Sequence, residues 1–116
     1  MRNISAAAIL AMLLSGATAH AHAFLDHAEP RVGSTVPSAP RQVSLWFTQD
    51  LEPAFSSAAV EDANGARVDQ GKAQISGAVM RVGLKALPPG TYKVHWKVIS
   101  VDTHPTEGSF TFRVGK

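Results

Sequence analysis

Apolar and polar residues alternate with a period of two through most of the chain beyond residue 40, which leaves little room for anything but β-structure. Val43, Leu45 and Phe47 alternate with Gln42, Ser44 and Thr48. Ala78, Met80, Val82 and Leu84 alternate with Arg81, Gly83 and Lys85. Tyr92, Val94, Trp96 and Val98 alternate with Lys93, His95 and Lys97, and Phe110, Phe112 and Val114 with Ser109, Thr111 and Arg113. A further strand is expected over residues 58–61, with an Asn64-Gly65 turn and a return through Val68. Pro88-Pro89-Gly90 marks a strong break before the longest alternating run. Outside the first 21 residues no segment of useful length carries a 3.6-residue apolar period. Side chains two apart share a face of a strand, so the apolar sets define a core between two sheets. About seven short strands imply an all-β domain, either an Ig-like β-sandwich or a Greek-key β-barrel of antiparallel strands. Trp46 is out of phase with the inward set of its strand, so it is expected at an edge or surface with no functional weight.

Residues 1–21 read as a secretory signal peptide. Arg2 supplies the positive end, residues 6–14 are an almost unbroken apolar run, and Ala19-His20-Ala21 fits the small-x-small cleavage pattern. Ala17-Thr18-Ala19 fits it too, so cleavage after Ala19 stays open beside the preferred site after Ala21. The apolar run is too short to span a bilayer, and the processed domain, residues 22–116, is expected to be exported and not membrane-embedded. Cleavage after Ala21 makes His22 the first residue. A terminal histidine offers its α-amine and its ring Nδ1 to one metal ion, and the two close a chelate ring without help from tertiary structure.

Composition narrows the metal chemistry. There are no cysteines, so the fold holds without disulfides, and thiolate sites for zinc or copper are excluded. Met80 is the only methionine beyond residue 12, which excludes a methionine-rich Cu(I) site. Ten Lys and Arg (eleven less Arg2) against nine Asp and Glu give the processed domain about +1, with the cations scattered. No basic stripe argues for nucleic acid.

The second informative segment is Ser100-Val101-Asp102-Thr103-His104-Pro105-Thr106-Glu107-Gly108. In extended backbone Asp102 and His104 project to the same side, converging a carboxylate oxygen and an imidazole nitrogen. Pro105 is expected to end regular pairing and stiffen the loop, and Gly108 to allow the turn into the last strand. Alone, Asp-x-His ordinarily means an Asx turn with a surface histidine. Combined with a terminal His22, it makes a set of two imidazoles, one amine and one carboxylate suited to tetragonal Cu(II). Nickel and zinc can use the same donors, but Cu(II) heads the affinity order.

His22-Ala23-Phe24-Leu25, then Glu29-Pro30-Arg31-Val32-Gly33, resembles the opening of mature CopC-type periplasmic copper-binding proteins, and Leu45-Trp46-Phe47-Thr48 resembles the strand that follows in that family. The block from Gly90 to Phe112 is similar to the C-terminal signature of that family almost without a gap. The resemblance implies a CopC-like copper-binding domain over residues 22–116 that binds one Cu(II) through His22, Asp102 and His104. Some members carry a glutamate just after the strand motif; here that position is Gln49, with Asp50 and Glu52 close by. Gln49 cannot be an anionic ligand. Some members also carry a Met-rich loop for Cu(I), which this chain lacks, so it looks like the single-site type.

The remaining histidines carry less. His20 leaves with the signal; His27 can reach the edge of the site, though a surface position is favoured. His95 is expected to face solvent. Glu107 is a candidate to orient His104 through a hydrogen bond.

The expected function is a non-catalytic, monomeric periplasmic Cu(II) carrier or buffer for copper homeostasis or resistance, passing the ion to a partner such as a CopD-type inner-membrane importer. An alternative is a copper-dependent oxidative enzyme, since copper polysaccharide monooxygenases also hold their metal through a terminal histidine. Against this stand the anionic Asp102, which disfavours the Cu(I) state, and a domain short for a substrate platform. A structural Ig-like module with an incidental metal site is the third alternative.

Overall fold

The computed structural model describes residues 22–116, so the signal-peptide segment 1–21 and both candidate cleavage sites lie outside the described residues. Eight strands run in chain order: β1 (Leu25–Glu29), β2 (Thr35–Val36), β3 (Gln42–Phe47), β4 (Ser57–Glu61), β5 (Asp69–Ser76), β6 (Val79–Leu84), β7 (Gly90–Ile99) and β8 (Pro105–Val114). A 3-10 turn, Pro53–Phe55, precedes β4. One sheet has the order β1-β3-β6-β5 and the other β2-β8-β7-β4. All pairs are antiparallel except β2 with β8, where Thr35 and Val36 run parallel to Arg113 and Val114. The architecture is an Ig-like β-sandwich. Among the described residues no helix is long and apolar enough to cross a membrane.

The alternating faces do what the period demands. Val43, Leu45 and Phe47 of β3, Met80, Val82 and Leu84 of β6, Tyr92, Val94, Trp96 and Val98 of β7, and Phe110, Phe112 and Val114 of β8 are all buried in one core. Within it Phe47 meets Trp96 edge-on at 5.2 Å, and Tyr92 stacks on Phe112 at 5.6 Å. The Tyr92 hydroxyl donates to the Pro88 carbonyl, tying the start of β7 back to the break before it, as a tyrosine corner does in such sandwiches.

The turn after β4 forms where Asn64-Gly65 stands, with Gly65 at φ 83° and Glu61 bridged to Arg67. The return differs from a simple hairpin. The Val68 amide donates to Val60 at 2.8 Å, while the Val68 carbonyl accepts from Lys85, and beyond it the chain joins the other sheet as β5. Asp69 sits at this crossover, accepting the Val60 amide at 3.0 Å and the Arg67 guanidinium at 2.7 and 2.8 Å. The Arg67 hydrogen bonds hold the Asp69 carboxyl below the ordinary carboxylate range, against partial burial that pushes it up. A depressed carboxyl stabilises the fold at neutral pH, and that contribution fades as pH drops below about 4 and through the lower folded value. Asp69→Asn is therefore expected to cost about 1 kcal/mol at pH 7. In urea unfolding the gap from wild type should start to narrow below about pH 4 and close only below the lowered folded value, where protonated Asp69 and asparagine are alike in charge.

Pro105 and Gly108 do not play the expected roles. Pro105 opens β8 opposite Ile99, a strand-first position where its missing N–H costs nothing. Gly108 lies inside β8, facing Trp96 across the β7–β8 ladder. Its lack of a side chain makes room for the indole; it turns no corner.

Candidate metal centre

The chain entering β1 lies against one end of the sandwich. Ala23 is fully buried in the core, and the Thr48 amide at the end of β3 donates to the Phe24 carbonyl at 2.9 Å. Residues 22–24 thus continue the β1–β3 pairing outward, and Ala23, being small, is what lets them seat so deeply. His22 ends this extension, partly buried.

The β7–β8 turn occupies the same end. Ser100 is fully buried and bridges to Leu51. The Thr103 amide donates to Ser100 at 2.8 Å, and the Ser100 amide to the His104 carbonyl at 3.3 Å. Thr103 closes the turn at φ 66°, a left-handed conformation costly for a β-branched residue. The turn is braced by the neighbouring segment: the Val101 amide donates to Asp50 at 3.1 Å and the Glu52 amide to Ile99 at 2.8 Å. Asp50 and Glu52 therefore contribute main-chain support to the turn.

Together these two segments bring the imidazoles of His22 and His104 to a centroid separation of 4.7 Å, inclined by 60°. Phe24 meets His22 edge-on at 6.0 Å and is half exposed, so the pair has an apolar flank. Two neutral imidazoles this close can turn a nitrogen each towards one ion, a donor set suited to Cu(II), nickel or zinc. Asp102 is exposed on the turn two residues before His104. It does not complete a three-residue cluster: among the described residues no three His, Asp or Glu side chains are grouped to hold one metal. The structure thus gathers two of the three side chains singled out in the sequence.

The other candidates separate from this pair. His27 is exposed, with Nδ1 2.6 Å from Asp26 and its ring stacked on Trp46 at 4.4 Å and 8°. Trp46 is only partly buried, and its outward face is where His27 rests. His95 faces solvent as alternation requires. Glu107 pairs with His95 Nε2 at 3.2 Å, across the ladder on the outer face of β7 and β8. It is therefore His95, rather than His104, that Glu107 contacts.

A family model described as the CopC domain matches residues 25–115. The chain belongs to the CopC family. Copper transport protein CutJ of Bacillus subtilis is 37% identical over 103 residues, covering 85% of this chain but only 19% of that protein. Copper resistance protein C of Xanthomonas campestris pv. juglandis is 36% identical over 115 residues, covering 91% of this chain and 90% of its own. The crystal structure of CopC from Methylosinus trichosporium OB3b superposes with a TM-score of 0.76 at 32% identity, over 81% of this chain and 94% of that one. The CopC-family match begins three residues after His22 and takes in the whole β7–β8 turn.

Proposed function

We propose that cleavage after Ala21 releases a periplasmic domain, residues 22–116, that binds one Cu(II) through the α-amine and ring of His22, the ring of His104 and the carboxylate of Asp102. It acts as a non-catalytic carrier or buffer for copper homeostasis or resistance, handing the ion to a membrane partner of the CopD importer type. The observation that carries this proposal is the 4.7 Å approach of His22 and His104, which are 82 positions apart in sequence and share no structural duty in the core. Nitrogen and oxygen donors without thiolate favour Cu(II) over Cu(I), in keeping with an oxidising compartment. The single methionine of the domain, Met80, is fully buried between the sheets and offers no thioether to the site. Relatives named for copper transport and copper resistance support a carrier over an oxidase.

Mass spectrometry of the exported protein, followed by EPR of its Cu(II) adduct, tests the proposal. The expected mass is that of a chain beginning at His22, and the expected spectrum is tetragonal with nitrogen hyperfine splitting. A different first residue, or a spectrum without nitrogen coupling, overturns the ligand set. Protons compete for both imidazoles and the amine, so affinity should fall steadily as pH drops from about 7 to 5, the ordinary histidine range. Competition titration with a chelator whose own pH dependence is calibrated checks this, and a flat profile counts against imidazole ligation.

A further inference from the structure

Two threonine hydroxyls grip the main chain on which His22 stands. Thr48 Oγ1 accepts the Phe24 amide at 2.9 Å and donates towards the His22 carbonyl at 3.4 Å. Thr106 Oγ1 donates to the Ala23 carbonyl at 2.6 Å from a partly buried position. The first comes from the end of β3 and the second from the start of β8, so the terminal segment is pinned to both sheets. Thr106 lies two residues beyond His104, on β8, the strand that begins directly after that histidine. One hydroxyl therefore links the residue next to His22 to the strand that follows directly on the other imidazole.

The geometry points to Thr48 and Thr106 as positioning residues of the metal centre: their hydroxyls clamp residues 22–24 and preset the distance between the two imidazoles. This rests on the Cu(II) site proposed above. A chain end is otherwise the least ordered part of a domain. Ordering it only when metal arrives would subtract from the affinity, whereas a preset clamp removes that cost before binding. The carbonyls of His22 and Ala23 are both engaged as acceptors, so the clamp fixes the main chain and leaves the α-amine and the ring as the free donors.

Thr48→Val and Thr106→Val remove the hydroxyls while keeping shape, and serine at either position keeps the hydroxyl. In the processed protein each valine variant is expected to bind Cu(II) about ten-fold more weakly, in the range seen when partners of metal ligands are removed. Serine should restore most of the loss, and the thermal midpoint of the metal-free protein should stay within a few degrees of wild type. A readout that needs no metal is amide exchange: the Phe24 N–H should be protected in wild type and lose protection in Thr48→Val. Wild-type affinity in both valine variants, or a Phe24 amide that exchanges freely in the wild type, overturns the clamp. If the wild type itself lacks a nitrogen-ligated Cu(II) spectrum, the metal site fails first, and the exchange result alone still decides the clamp. If a valine variant does not fold, the serine variant and wild-type exchange decide it.

Discussion

Replacing His104 with alanine is expected to weaken Cu(II) binding by on the order of a hundred-fold or more, about 2.8 kcal/mol at 1.4 kcal/mol per decade. The His104 ring is the imidazole that the fold itself, as distinct from signal cleavage, brings opposite His22. Without it the terminal amine and the His22 ring remain, but no second imidazole closes on the ion. His22→Ala should lose a similar amount, since it keeps the amine and removes the chelating ring. Asp102→Asn should lose less, because its carboxylate is exposed and stands outside the imidazole pair. The metal-free His104 and Asp102 variants should unfold within about 0.5 kcal/mol of wild type, as exposed positions usually do. Loss of binding can then be read as loss of donors. At a free Cu(II) concentration a hundred times the wild-type dissociation constant, binding adds about 2.7 kcal/mol to wild-type stability and well under half of that to His104→Ala. A thermal shift that is the same in both proteins would move the site away from this turn.

How much of this could be read beforehand follows from what kind of force sets each feature. β3, β6, β7 and β8 were legible because burial acts on every second residue, so Val94 or Phe112 announces its face by its neighbours. β5 was not, because its ladder with β6 breaks register between Gln70 and Gln74 around Gly71, and a bulge erases the period that would reveal it. β2 is two residues long and has no period at all. The parallel pairing of β2 with β8 and the crossover at Val68 depend on which sheet a strand joins, and alternation is silent on that.

The site divides in the same way. Residue types with metal-binding nitrogens stand out anywhere in a sequence, so His22 and His104 were legible as chemistry. What brings them together was not, since Thr48 and Thr106 look like ordinary strand residues until their hydroxyls are seen on the carbonyls and amide of residues 22–24. Proximity in sequence also misled. Glu107 is three residues from His104, yet it lies in an extended strand, where residues an odd number apart face opposite ways. Its partner is His95, on the outer face it shares.

Gly108→Val is expected to destabilise the fold by about 3 kcal/mol, at the top of the usual range for a point substitution, and Gly108→Ala by about 1–2 kcal/mol. Propensity argues the opposite sign. Glycine within a strand costs entropy, and alanine or valine there would ordinarily stabilise. Packing decides, because a Cβ on Gly108 would stand 2.6 Å from Trp96 Cζ2, 3.0 Å from Cε2 and 3.3 Å from Cη2. The indole cannot yield easily: it is 7% exposed and held edge-on against Phe47 in the core. Relief requires either an indole off its rotamer or a displaced β8, and both disturb a ladder that runs from the Gly90–Val114 pair to the Ile99–Pro105 pair. Thermal unfolding of a domain this size should register 3 kcal/mol as a fall of roughly 15 °C. The double variant Trp96→Phe with Gly108→Ala isolates the cause, since phenylalanine withdraws the six-membered ring that meets the new Cβ. The alanine penalty should shrink or vanish in that background, a coupling expected only of residues in contact. If Gly108→Ala costs the same beside phenylalanine as beside tryptophan, the glycine serves the backbone and not the indole.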